Sequence, residues 1–147
     1  YVGHMEAINP ALTVEEHLEF WARAKGYKQP AGNILQALDL ESLADVPGRF
    51  LSAGQKRRLS LTRLLATPAT LWLLDEPSVT LDGQSAARLE DMLAAHRATG
   101  GMAIVATHTE IALPGAESID MAEYGIAIET LVRTPQTAVG ERDYGEW

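Results

Sequence analysis

The sequence predicts an α/β fold built around a parallel sheet. Leu71-Trp72-Leu73-Leu74 and Met102-Ala103-Ile104-Val105-Ala106 are short apolar runs without alternation, the pattern of strands covered on both faces. A helical pattern runs between them from about Gly83 to Thr99, with Leu89, Met92, Leu93 and His96 at helical spacing. Strand, long helix, strand is a βαβ unit, whose crossover is right-handed by rule.

The first half reads as helices. Thr13 stands three residues before Glu16, a capping box for a helix opening at Val14. Val14, Leu18 and Trp21 give it an apolar face, the Lys25 stem closes that face, and Gly26 stops the helix. A second helix is expected from about Gly32 to Glu41, with Ile34, Leu35 and Leu38 on one side, before Pro47-Gly48 breaks the chain. A third starts near Ser52-Ala53-Gly54, crosses the basic stretch Gln55-Lys56-Arg57-Arg58 and ends before Pro68. Leu61, Leu64 and Leu65 mark its expected buried face. Beyond Pro114 the pattern weakens, and the polar tail from Thr134 to Trp147 is expected at the surface or disordered.

Composition narrows the function. The chain has 147 residues, 46% hydrophobic and 22% charged, which is ordinary for one globular domain and excludes a disordered or collagen-like chain. Its formal charge of -8 argues against a nucleic-acid-binding surface, so no nucleic acid is expected as a partner. With no cysteine, a disulfide framework, a thiol nucleophile and a Cys-type zinc site are excluded. No apolar run approaches the roughly 20 residues that span a bilayer. Tyr1-Val2-Gly3-His4 lacks the basic start and apolar block of a signal peptide, and a first residue other than Met suggests an internal piece of a longer protein. A cytoplasmic setting is expected.

Chemistry gathers at the strand ends. Asp75-Glu76 follows the first apolar run directly, where open α/β sheets bind ligands. An Asp there can hold Mg²⁺ through its water shell, and an adjacent Glu can take a proton from attacking water or orient it. Thr107-His108 ends the next strand and falls at the same edge. Taken singly, these features also fit a solvated acidic turn and a bystander histidine. His4, His17 and His96 read as surface or hydrogen-bonded bystanders, with no metal-ligand spacing among them. Leu51-Ser52-Ala53-Gly54-Gln55 opens a helix whose free N–H groups and dipole suit a phosphate, although Ser52 is equally an ordinary N-cap.

Together these segments resemble one superfamily. Leu51-Ser52-Ala53-Gly54-Gln55 is similar to the signature motif of ATP-binding cassette (ABC) proteins, and Leu71 to Pro77 to their Walker B strand with its glutamate. Ser78-Val79-Thr80-Leu81-Asp82 resembles their D-loop and His108 their switch histidine, so the likeness covers roughly residues 1 to 120. Arg49 to Leu59, Tyr1-Val2-Gly3-His4 with Leu12 to Leu18, and Leu71 to Pro77 further resemble the branch serving haem export in cytochrome c biogenesis.

The resemblance implies a P-loop NTPase (RecA-like) cassette lacking its N-terminal part, with an α-helical subdomain. Residues 1–66 would be the Q-loop region and signature subdomain, 67–125 the Walker B, D-loop and switch part, and 126–147 a variable tail. The implied activity is ATP hydrolysis coupled to transport, with ATP and Mg²⁺ as cofactors. Asp75 would hold the metal, and Glu76 and His108 would be catalytic. Ser52, Ala53, Gly54, Gln55 and Asp82 would serve the nucleotide. The implied partners are a second cassette in a head-to-tail homodimer and transmembrane transporter subunits, docked on the segment from Val14 to Glu41. That would make the protein peripheral on the cytoplasmic side of the inner membrane.

Three departures stand against the pattern. No Gly-x-x-x-x-Gly-Lys-Ser/Thr occurs, Met5 falls near the expected Q-loop glutamine, and Val79-Thr80 replaces the usual Ser-Ala of the D-loop. A transporter for another substrate, a soluble ABC ATPase and an inactive fragment therefore remain as alternatives.

Overall fold

A computed structural model describes residues 1–28, 31–67 and 69–124, with Ala31 and Gly32 as backbone only. The expectations for Pro68 and for the tail from Thr134 to Trp147 lie outside the described residues. The chain divides into two compact units, Tyr1–Pro114 and Gly115–Trp147. Within the second, the described part holds a single 3₁₀ turn, Met121–Tyr124, opened by the Asp120 carboxylate accepting from the Ala122 amide.

Helix α1 (Val14–Ala24) starts as its capping box requires. Thr13 Oγ1 accepts from the Glu16 amide while Glu16 Oε2 accepts from the Thr13 amide. Its next free donors, the amides of Val14 and Glu15, go to the carbonyls of Val46 and Ala44. Gly26, at φ +75, ends it: Gly26 donates to Arg23 and Tyr27 to Ala22, the paired bonds of a left-handed helix stop. The buried face is Val14, His17, Leu18 and Ala22.

Helix α2 (Ala31–Ala37) is shorter than the expected Gly32–Glu41, and a 3₁₀ turn, Glu41–Leu43, follows it. Asp39 takes the left-handed conformation at φ +54 and closes the helix, with Asp39 donating to Gln36 and Leu40 to Leu35. Seven residues are far below the ~12–15 at which isolated helices persist, so packing of Ile34, Leu35 and Leu38 in the core holds it.

Helix α3 (Ala53–Ala66) is capped by Ser52, again in a full capping box with Gln55. It passes through the core and is buried nearly all round: Arg57, Leu59, Ser60, Leu61, Thr62, Leu64 and Ala66 are all covered. Leu65, expected on the buried face, is only half-buried. The side-chain hydroxyls of Ser60 and Thr62 are accommodated by donating back to the carbonyls of Arg57 and Leu59.

Strands β1 (Leu71–Asp75) and β2 (Met102–Ala106) pair in parallel, Leu71 opposite Met102 through Asp75 opposite Ala106. Helix α4 (Gly83–Ala98) crosses between them, with Leu89, Met92 and Leu93 buried. On the other side of β1, Val2 adds a parallel bridge, donating to Leu73 and accepting from Asp75. The expectation of strands covered on both faces needs correction. Trp72 and Leu74 are buried, but Leu71, Leu73, Met102 and Ile104 form an open apolar face, because the described helices pack on one side of the sheet. A single core joins Val2, Leu18, Leu35, Leu59, Leu74 and Leu93, so the helices and the sheet share one interior.

Candidate nucleotide site at the strand ends

The parallel register sets the site. Because Asp75 lies opposite Ala106, the residues that follow each strand leave the sheet at one edge, and the Glu76 amide donates to the Ala106 carbonyl to extend the ladder by one step. Glu76 then turns at φ +49, a conformation unusual for a residue with a side chain. Its carboxylate meets three donors. His108 Nδ1 lies 2.9 Å from Oε1, the Thr107 hydroxyl 3.3 Å from Oε2, and the His108 amide 3.4 Å from the same oxygen. An ionised carboxylate only accepts, so the His108 proton facing it sits on Nδ1. The bond from the His108 ring holds the Glu76 carboxyl below the usual carboxylate range. The His108 amide and charge and the Thr107 hydroxyl add to this, while partial desolvation opposes it.

Asp75 lies beside this pair, its Oδ2 3.3 Å from His4 Nδ1 and its side chain about a third exposed. Among the described residues no three His, Asp or Glu side chains converge on one point. A lone, accessible carboxylate suits a magnesium ion that keeps its waters and takes further oxygens from phosphates, and does not suit a protein-caged ion.

The helix-start residues form a separate group. The Ser52 hydroxyl accepts from the Gln55 amide, and the Gln55 side chain accepts from the Ser52 amide. This leaves the Ser52 hydroxyl proton uncommitted. Ala53 and Gly54 fill the first turn, where backbone N–H groups lack helical partners. A Cβ at Gly54 would stand 3.0 Å from the Thr80 carbonyl, so this turn packs directly against the segment after β1. Asp82 N-caps α4, with Oδ1 accepting from the Ser85 amide at 2.8 Å. That bond and the Ser85 hydroxyl depress the Asp82 carboxyl, helped by Arg58 and Arg88. Met5, near the expected Q-loop position, is exposed.

Within one chain the structure brings Glu76, His108 and Asp75 to one edge; the Ser52 side chain bonds within its own helix start. The group that joins the two sets is one the sequence reading passed over. Arg57 is 2% exposed, and its guanidinium donates to the carbonyls of Gly3 (2.7 Å), Asp75 (2.8 Å), Glu76 (2.6 Å) and Pro77 (3.2 Å). Burial lowers its pKa, and Glu6, Asp75 and Glu76 oppose that. An arginine remains charged throughout. Its signal in the sequence was its place in phase with Leu61 and Leu64, which puts a cation on the buried side of α3.

A family profile described as "ABC transporter" matches residues 1–79, just over half of the chain. The chain belongs to the ABC transporter family. It is 54% identical over 117 residues to the "Cytochrome c biogenesis ATP-binding export protein CcmA" of Rhodospirillum rubrum, covering 79% of this chain and 50% of that protein. The protein of the same name from Paramagnetospirillum magneticum is 47% identical over 134 residues, 88% of this chain and 62% of its own length. The chain thus spans about half to three-fifths of these relatives. Among solved structures, a dimeric post-hydrolysis state of the ATP-binding cassette MJ0796 bound to ADP and Pi matches with a TM-score of 0.66 at 24% identity, covering 74% of this ABC chain and 51% of that one. The fold is that of an ATP-binding cassette. Among the described residues no helix is long and apolar enough to cross a membrane.

Proposed function

We propose that the full-length protein is the ATP-binding and ATP-hydrolysing subunit of an ABC transporter serving haem export in cytochrome c biogenesis. The observation that carries the hydrolytic reading is the Glu76–His108 contact beside Asp75 at the ends of two paired parallel strands. The names of its curated relatives support the assignment to cytochrome c biogenesis.

In this reading Asp75 holds the magnesium ion that accompanies ATP, which supplies charge neutralisation at the phosphates. Glu76, one residue on, accepts the proton of the attacking water, with His108 and Thr107 fixing the carboxylate's direction. Ser52 donates its free hydroxyl proton, and Gly54 its amide, to the nucleotide of a second cassette in a head-to-tail homodimer. Ala53 and Gln55 shape that turn, and Asp82 lies between the two sites. These 147 residues contain no Gly-x-x-x-x-Gly-Lys-Ser/Thr, so they offer no phosphate cradle of their own and the proposal concerns the full-length protein. The exposed Phe20 of α1 supports docking of membrane subunits on the helical part, at the cytoplasmic side of the inner membrane.

The test is Glu76→Gln in the full-length protein. The amide keeps the shape but accepts no proton, so ATP binding persists while turnover falls by about 10²–10⁴-fold. A nucleotide-bound dimer then accumulates in size-exclusion chromatography. Unchanged turnover removes Glu76 from the chemistry.

A further inference from the structure

Arg57 is the only buried ionised side chain among the described residues, and it faces four backbone carbonyls with no carboxylate in its bonds. Three of those carbonyls are consecutive with the site: Asp75, Glu76 and Pro77. The fourth, Gly3, belongs to the segment that pairs with β1 and carries His4, the residue beside Asp75. One rigid, planar group therefore fixes the strand end, the acidic turn and the start of the neighbouring segment together.

We propose that Arg57 is a positioning residue of the acidic turn, holding Glu76 in its left-handed conformation so that the carboxylate faces His108. The proposal rests on the reading of this turn as a hydrolytic site. A non-glycine residue at φ +49 persists only where its surroundings over-determine it. Here the determinants are the Glu76 amide on Ala106 and Arg57 Nη2 on the Asp75 and Glu76 carbonyls. The planar fork matters. Nε and Nη2 reach three carbonyls of one turn while Nη1 reaches Gly3, a division that an ammonium on a flexible stem does not reproduce. Arg57 also stands three residues beyond Gly54, in the helix whose first turn abuts the Thr80 carbonyl. The same side chain thereby ties the helix start that faces a partner's nucleotide to the turn that serves its own.

The experiment compares Arg57→Lys and Arg57→Gln with the unaltered full-length protein. It reads kcat and KM for ATP, thermal unfolding, and amide exchange at Val79 and Leu81, whose N–H groups bond to Glu76 and Ser78 within the turn. Misplacing the carboxylate lowers kcat by about 10²-fold in Arg57→Lys with KM little changed. Exchange at Val79 and Leu81 accelerates about tenfold while α3 and α4 keep their protection. Arg57→Gln brings no badly placed charge into the core and serves where the Lys variant fails to fold. Unchanged kcat with unchanged exchange in the turn overturns the proposal. So does a uniform loss of protection, kcat and ATP binding together, which would make Arg57 a core residue only. Should the unaltered protein show no ATP hydrolysis, the functional reading fails, and the exchange comparison, which needs no turnover, still decides the role of Arg57.

Discussion

His108 Nδ1 lies 2.9 Å from Glu76 Oε1, so the loop after β2 holds the carboxylate that follows β1. The two residues are 32 positions apart in the chain and meet because the parallel register sets Asp75 opposite Ala106. On the proposed reading of Glu76 as the base, removing the ring leaves that carboxylate in place but with one fewer bond to aim it. In the full-length protein, His108→Ala lowers ATP turnover by about 10²-fold through misorientation, without loss of ATP binding. Steady-state ATPase beside nucleotide-binding titration checks this, and a variant with unaltered turnover would show that Thr107 and the backbone suffice.

Asp82 gives a pH dependence of defined sign. Its folded carboxyl is depressed below the ordinary 3.8 by the Ser85 amide it caps. The cap's contribution is therefore fully present above the unfolded value and is lost as pH falls through the depressed folded value. Asp82→Asn keeps an acceptor at the N-cap but cannot titrate. Thermal unfolding followed from pH 5 downward should show a smaller acid loss in the variant than in the unaltered chain. Parallel acid limbs would place the titration elsewhere.

Thr13 tests the helix start that packs nearest the loop from Ala44 to Val46. Thr13→Ala removes the acceptor of the Glu16 amide, while the Glu16 carboxylate keeps its bond from the amide of residue 13. Loss of an N-cap of this kind costs about 1 kcal/mol. Chemical denaturation of the two proteins reads the difference as a lower midpoint at constant slope. A stability unchanged within error would mean that the bonds from Val14 and Glu15 to the Val46 and Ala44 carbonyls carry the helix start.

The sequence by itself determined the elements whose cause is local. Thr13 with Glu16, and Ser52 with Gln55, set helix starts because each cap bonds within three residues. Leu71 to Leu74 and Met102 to Ala106 declared strands through their apolar runs, and Asp75, Glu76 and His108 were legible because strand ends in such sheets leave at one edge. Tertiary structure decided whatever depends on partners arriving from far along the chain. The end of α2 at Ala37 belongs with Arg58, which donates to the carbonyls of Leu38 and Asp39 from about 20 residues away and pairs with the Asp39 carboxylate. His17 reads as polar, yet it is buried because its Nδ1 donates to Thr13 and its Nε2 accepts from the Asn9 amide. Arg57 reads in the sequence only as part of a basic stretch and is a buried clamp in the structure. Carbonyls from two segments surround this cation and make its burial tolerable, and periodicity along one helix carries no record of those carbonyls.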